Sequence, residues 1–271
     1  MQTHRTRRRF LTRLGAVATA LIAPPVFAQG TPHAEAPVLG LGTAINLAGR
    51  QRMLSQRSAK GWLMVADGVL PERGAKWLEE SIARFDEGLA RLKGLQPSEE
   101  IRSSLVQLEQ AWAPYVAILR QPPTKARAQA VFDGSDQVLA IAHQTTKAYE
   151  AQASGTVGNL INIAGRQRML SQRMAKFYFF ERIGIQPEAS RLALEKAALE
   201  FTDAMKILRE SSQTTEAIAA ELALTDQQWF FFDAAIKEPA GERAAKNIAT
   251  TSERILQQLD LVVSRYEALA G

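Results

Sequence analysis

The chain of 271 residues is 46% hydrophobic and carries 33 basic and 28 acidic residues, which gives a formal net charge of +5. It has no cysteine, and this excludes disulfides, thiolate nucleophiles, covalent haem attachment and cysteine-ligated zinc. Its three histidines are too few for a histidine-rich metal centre, and we expect no cofactor.

The first 28 residues have the features of a signal peptide for the twin-arginine export pathway. Residues 6–11 read Thr-Arg-Arg-Arg-Phe-Leu, an apolar stretch follows at 14–23, and Val-Phe-Ala at 26–28 offers a cleavage site. That stretch is too short to span a bilayer, so we expect a soluble periplasmic protein. The signal holds five arginines and no acid, which leaves 28 basic and 28 acidic residues and no global field for nucleic acid or anionic lipid.

A sixteen-residue segment occurs twice, at 45–60 and at 161–176, and only two positions differ between the copies. Core packing alone tolerates many apolar exchanges, so it does not explain why the polar residues recur. Weaker similarity continues beyond this motif at an offset of 116 and then 117 residues. The predicted mature chain is therefore a tail at 29–41 followed by two tandem units, at 42–153 and 158–269.

Each unit reads as four helices, because apolar residues recur at spacings of three and four and no strand-like alternation is sustained. Pro114 should kink or break the third helix. Short loops favour antiparallel neighbours, so the predicted class is all-α, with two up-down-up-down four-helix bundles. The predicted helices cover 42–66, 72–94, 99–120, 124–153, 158–182, 188–210, 215–237 and 242–269.

Four antiparallel helices return the chain to the end of the bundle where it began. Because the connector at 154–158 is short, the second motif helix should start beside the first. The two motif helices can then lie parallel about a pseudo-two-fold axis, and the chain becomes a covalently fused dimer of bundles.

The arginines of the motif helix divide between two faces at 100° per residue. Arg52 and Arg168 fall on faces made of small residues, where Gly49 and Gly165 would let two helices approach closely. We place a second group of polar residues on an ordinary solvated flank, and its members in the first copy are Asn46, Arg50, Arg57 and Lys60.

If Arg52 and Arg168 meet across the pseudo-two-fold axis, their charges repel by about 3 kcal/mol at roughly 6 Å and an effective dielectric of about 20. The motif contains no acid, and one small planar oxyanion between the two guanidinium groups would remove the repulsion. The alternative is that each arginine pairs with an acid from another helix of its own bundle.

Other residues carry less specific signals. Trp112 and Trp229 fall on apolar stripes and are predicted to be core residues. The aromatic run at 177–180 surrounds its helix, so part of it should be exposed as a partner interface. Ser55 and Ser171 lack a base at useful spacing and the acids form no recognisable pair, so we do not expect an enzyme.

The motif Asn-x-Ala-Gly-x-x-Arg-Met-x-Ser, at 46–55 and 162–171, resembles the signature of the PilJ-type domain of type IV pilus chemotaxis transducers. It is also similar to the P-box in the periplasmic domain of nitrate/nitrite sensor kinases. The resemblance covers nearly the whole mature chain and implies a helical sensor module. It also implies that Arg52 and Arg168 hold one anion at the dimer axis.

The resemblance thus predicts a periplasmic binding protein for nitrate or nitrite, in which Arg52 and Arg168 clamp the anion. Weaker candidates for polar contacts are Asn46, Asn162, Ser55 and Ser171. Members of the family are usually membrane receptors, so this protein would report to a membrane receptor, transporter or pilus component. The rival hypothesis is a ligand-free interaction module that docks on a type IV pilus, chemoreceptor or sensor-kinase partner.

Overall fold

The computed structural model describes residues 40–153, 155–239 and 241–270. The predicted signal peptide at 1–28 and nearly all of the predicted tail at 29–41 lie outside these ranges. Over the described residues the chain is all-α, with eight α-helices, one short 3-10 helix and no strand. The predicted fold class is confirmed.

The helices form two consecutive sets of four. Their ends lie within two residues of the predicted ones, except that a 3-10 turn at Lys125–Arg127 delays the start of α4. The helices are α1 (Leu41–Asp67), α2 (Pro71–Lys93), α3 (Glu99–Leu119), α4 (Ala128–Gln152), α5 (Thr156–Arg182), α6 (Pro187–Glu210), α7 (Glu216–Lys237) and α8 (Glu242–Ala268). Helix α3 runs through Pro114 without the break that we allowed for.

The turns between the first two helices of each set have the same backbone conformation. Leu70 and Gln186, which are 116 positions apart, have φ values of 48° and 45° in the left-handed region that non-glycine residues rarely adopt. A proline follows each of them at the first helical position, where its missing N–H costs no hydrogen bond. The two sets are therefore structural repeats as well as sequence repeats.

In each unit the first helix packs on the second and fourth, and the third helix packs on the fourth. Trp112 is buried as predicted and stacks on Phe85 at a centroid distance of 3.7 Å. Trp229 is only partly buried, and it packs against the core and stacks on Phe201 at 4.6 Å. The prediction for 177–180 was wrong, because all four aromatic side chains are buried. None of the described helices is long and apolar enough to cross a membrane.

Candidate functional site

The two motif helices, α1 and α5, pack against each other and run parallel, as predicted. Near their beginnings, the side chain of Ile45 lies 3.3 Å from the position that a Cβ would take on Gly158. Near their ends, Arg182 Nε donates a hydrogen bond of 2.6 Å to Asp67. The helix pair forms the centre of the interface between the two units.

Arg52 and Arg168 meet at this interface, and both side chains are fully buried. A Cβ on Gly49 would lie 3.1 Å from Arg52 Nη2 and 3.9 Å from Arg168 Nη2. A Cβ on Gly165 would lie 3.4 Å from Arg168 Nη2 and 3.5 Å from Arg52 Nη2. The two Nη2 atoms are therefore at most about 7 Å apart, and the two glycines leave room for the guanidinium groups.

Arg52 has no direct anionic partner among the described residues. Its Nη2 donates to the main-chain oxygen of Asn162 at 3.3 Å, and its Nη1 lies 3.2 Å from Nδ1 of His143 on α4. Burial, helped by the charges of Arg166 and Arg168, lowers the pKa of Arg52 to about 9. Burial and the charge of Arg52 lower the pKa of His143 to about 4, so the imidazole is neutral at pH 7.

Arg168 differs because it does have a carboxylate partner. Its Nη1 donates to Asp260 on α8 at 2.7 Å, and its Nη2 donates to Asn46 Oδ1 at 2.8 Å. Asp260 lies 117 positions after His143 and has the equivalent place in the second unit. The alternative hypothesis, in which each arginine pairs with an acid of its own bundle, is therefore correct for Arg168 and wrong for Arg52.

The motif asparagines connect the arginines to the opposite unit. Asn162 on α5 donates to Glu150 at the end of α4 at 2.9 Å, and Asn46 on α1 donates to Glu267 at the end of α8. On the Arg52 side, the carboxylate of Glu150 therefore contacts Asn162 and not the guanidinium group itself. The Nε atoms of both arginines and Oδ1 of Asn162 have no partner among the described residues.

The motif serines make local contacts instead. Ser55 Oγ donates to the main-chain oxygen of Arg52, and Ser171 Oγ donates to that of Arg168, both at 2.8 Å. Each serine also accepts from a glutamine of its own helix, Gln56 or Gln172. The structure therefore brings the arginines, glycines and asparagines of the predicted site together and directs the serines to the helix backbone.

The solvated flank was predicted wrongly, because its polar side chains bind the other unit. Arg57 donates to both oxygens of Glu253 on α8, at 3.0 and 2.8 Å, and Lys60 Nζ lies 2.6 Å from the same carboxylate. Lys60 is fully buried and Arg57 and Asn46 nearly so, while Arg50 is half-buried. Burial raises the pKa of Glu253, but Lys60 and Arg57 outweigh this and lower the pKa to about 2.

The second copy repeats this clamp with the roles of the units exchanged. Arg173 and Lys176 on α5 donate to Asp136 on α4, at 2.8 and 2.9 Å. Burial lowers the pKa of Lys176 to about 7 and that of Lys60 to about 8. Two clamps of two cations and one carboxylate therefore hold the units together, one on each side of the pseudo-two-fold axis, and the clamp at Glu253 is the more deeply buried of the two.

Our reading of the sequence missed every partner that the motif residues use. The offset of 117 residues contains the signal for them, because it pairs Asp136 with Glu253, His143 with Asp260 and Glu150 with Glu267 on the fourth helices. These six residues are side chains of the fourth helices that line the interface beside the motif helices.

A family model matches both units of this chain. The model described as "Type IV pili methyl-accepting chemotaxis transducer N-term" covers residues 38–133 and 149–255, which is more than half of the chain. The chain belongs to the PilJ family. It contains two tandem copies of the PilJ domain, a sensor module of chemotaxis transducers. Comparisons with curated proteins and with solved structures found no match.

Proposed function

We propose that this PilJ protein is a periplasmic binding protein that senses a small oxyanion, nitrate or nitrite, between α1 and α5. The observation that supports the proposal is Arg52, a fully buried guanidinium whose neighbours are a neutral imidazole and a main-chain oxygen. Buried charges in proteins are normally paired. An anion would supply the missing partner.

The spacing of the arginines suits such a ligand. Two unit charges at most about 7 Å apart repel by at least roughly 2 kcal/mol at an effective dielectric of about 20. An oxyanion that accepts charge-assisted hydrogen bonds of about 2.8 Å from both groups removes this repulsion. Nη2 of Arg52 and of Arg168 would be the principal donors, and the unpartnered Nε atoms offer further N–H groups.

The site is asymmetric, since Asp260 already balances Arg168 and nothing comparable balances Arg52. The anion therefore acts mainly on Arg52 and on the Asn162 end of the interface. Binding there would fix the position of one unit relative to the other, and a membrane partner would read that position. The protein acts by binding, without catalysis.

The test is thermal unfolding in chloride-free buffer with nitrate, nitrite, sulfate and chloride at matched ionic strength. A ligand at 100 times its Kd adds about 2.7 kcal/mol of stability. We expect a saturable increase with nitrate or nitrite that is lost in Arg52→Gln and kept in the exposed control Arg91→Gln. Equal small shifts with all four salts would contradict the proposal.

A second candidate function is the ligand-free interaction module, and an exposed apolar surface favours it. Leu199 on α6, which is 69% exposed, lines a groove of about 1150 Å³ together with Trp229, and Phe230, which follows Trp229 on α7, is 70% exposed. The partner would be a type IV pilus, chemoreceptor or sensor-kinase component. Substitution of Phe230 by Ser would then abolish partner capture without changing the response to anions.

A further inference from the structure

A cavity of about 320 Å³ opens on one flank of the interface, where several residues differ from their equivalents on the other flank. The cavity lies between α4, α5 and α6. Its polar walls include His143, Arg166, Arg173 and Lys196, and its apolar walls include Met169 and Leu170.

The repeat explains why the space is open here. Ala193 lines the cavity, and its equivalent 116 positions earlier is Trp77. On that side the indole ring lies under the cations of the clamp, 4.7 Å from Lys60 Nζ and 5.8 Å from Arg57 Cζ. At the cavity wall an indole is replaced by a methyl group, and Phe177, which stands where the first unit has Gly61, takes over the contact with the clamp cations at 4.1 Å from Lys176 Nζ.

The exchange of residues also changes the charge. Lys196 stands where the first unit has Glu80, and His143 stands where the second unit has Asp260. Glu80 bonds Arg57 at 3.3 Å, whereas Lys196 has no carboxylate within 4.0 Å among the described residues. Glu80 and Asp260 on the other flank are thus replaced here by Lys196 and His143, while Arg84 is replaced by Glu200.

Two carboxylates remain on the cavity wall, and arginines hold both of them. Arg166 donates to Glu200 at 2.6 Å, and Arg173 donates to Asp136 at 2.8 Å. Lys196 is left as the cation that these pairs do not neutralise. The wall therefore favours an anion, and its apolar part favours a ligand with a hydrophobic body.

We propose that this cavity is a binding site for a small organic anion, a carboxylate on a short apolar body, with Lys196 as its main charge partner. The volume is larger than a nitrate ion needs and lies at the lower end of ordinary small-molecule pockets, roughly 300–1,000 Å³. His143 lines the cavity and also contacts Arg52. Because Arg52 can only donate, Nδ1 of the imidazole is the acceptor and Nε2 carries the N–H. A ligand in the cavity would thereby influence the arginine pair.

The test is a calorimetric titration of the purified protein with butyrate and benzoate, and with butyramide and benzamide as uncharged controls. We expect saturable binding of the acids, tighter for benzoate, with each amide at least tenfold weaker. The first unit supplies the substitutions: Ala193→Trp should abolish binding, and Lys196→Glu should weaken it at least tenfold. Lys206→Glu, an exposed lysine on the same helix, should leave it unchanged.

The proposal is overturned if neither acid binds or if each acid and its amide bind equally. It is also overturned if Ala193→Trp and Lys196→Glu bind benzoate as tightly as the original protein. Lys196 is exposed, so its substitution tests the site even if the tryptophan variant does not fold. The thermal response to nitrate should persist in Lys196→Glu. Loss of carboxylate binding with that response intact would separate this site from the proposed anion site.

Discussion

Replacement of His143 by aspartate should give Arg52 the partner that Arg168 already has. In the second unit, Asp260 accepts from Arg168 Nη1 at 2.7 Å, and His143 holds the equivalent place beside Arg52 Nη1 at 3.2 Å. His143→Asp therefore copies an arrangement that this fold already accommodates. It converts an unbalanced buried guanidinium into an ion pair.

The size of the effect follows from the kind of hydrogen bond. A bond between two charged groups contributes about 1.5–3 kcal/mol, against about 1 kcal/mol for a neutral one. Because the site of His143 is half-buried, the new carboxylate keeps part of its hydration and its attraction is partly screened. We expect a net gain of about 1–2 kcal/mol, or a rise in Tm of about 2–4 °C for a chain of this size.

The assay is equilibrium unfolding in urea at pH 7, with His143→Asn as the control that changes shape similarly but adds no charge. His143→Asp should be more stable than the control. Its apparent affinity for nitrate in the thermal titration should be at least tenfold lower than that of the original protein, because the introduced carboxylate would already neutralise Arg52. If the two variants are equally stable, the argument that Arg52 lacks a partner is refuted. If His143→Asp is more stable but responds to nitrate as before, the anion does not bind at Arg52.

Three further predictions concern buried contacts, two at the interface between the units and one between α1 and α2. Glu253→Gln should cost about 3–5 kcal/mol in urea unfolding and Asp136→Asn less, because the side chain of Glu253 is 10% exposed and that of Asp136 is 41% exposed. Burial lowers the pKa of Lys176 in the folded protein to about 7, so above that pH the unfolded chain binds more protons than the folded one. The free energy of unfolding of the original protein should therefore rise from pH 7 toward about pH 9.5. In Lys176→Met this rise should be less steep. Gly61→Ala places a Cβ 2.7 Å from a main-chain oxygen and should lower the Tm by the equivalent of about 1–3 kcal/mol, whereas Gly40→Ala meets nothing within 4 Å. A larger loss of stability in Asp136→Asn than in Glu253→Gln, or a steeper pH dependence in Lys176→Met than in the original protein, would contradict the charge argument. A larger fall in Tm for Gly40→Ala than for Gly61→Ala would contradict the packing argument.

The helices could be predicted because their signals are local. Proline and glycine mark the turns, as at Pro71 and Gly184, and the apolar stripes give the period. Pro114 was the exception, since α3 remains helical through it. A single proline removes one hydrogen bond, and the packing of Trp112 and Tyr115 on either side of it offers more stabilisation than that loss.

The parallel pairing of the motif helices could also be predicted, because the number of helices and the short connector determine it. The surroundings of each polar side chain could not. Lys60 looks solvated on an isolated helix, but a glutamate 193 residues later reaches it from the other unit and buries it. A helical wheel shows which residues share a face, and it does not show which distant helix covers that face.

Fusion of the two units in one chain explains why the proposed sites are asymmetric. In a symmetric homodimer any change beside one arginine must occur beside the other as well. Here each copy can change alone, and the changes that matter cluster on one flank: His143 of the first unit opposite Asp260, and Ala193 and Lys196 of the second unit opposite Trp77 and Glu80. The clamps of Glu253 and Asp136 are kept on both sides and hold the assembly together. The residues around the proposed cavity site can therefore differ from their equivalents while both clamps keep the units together.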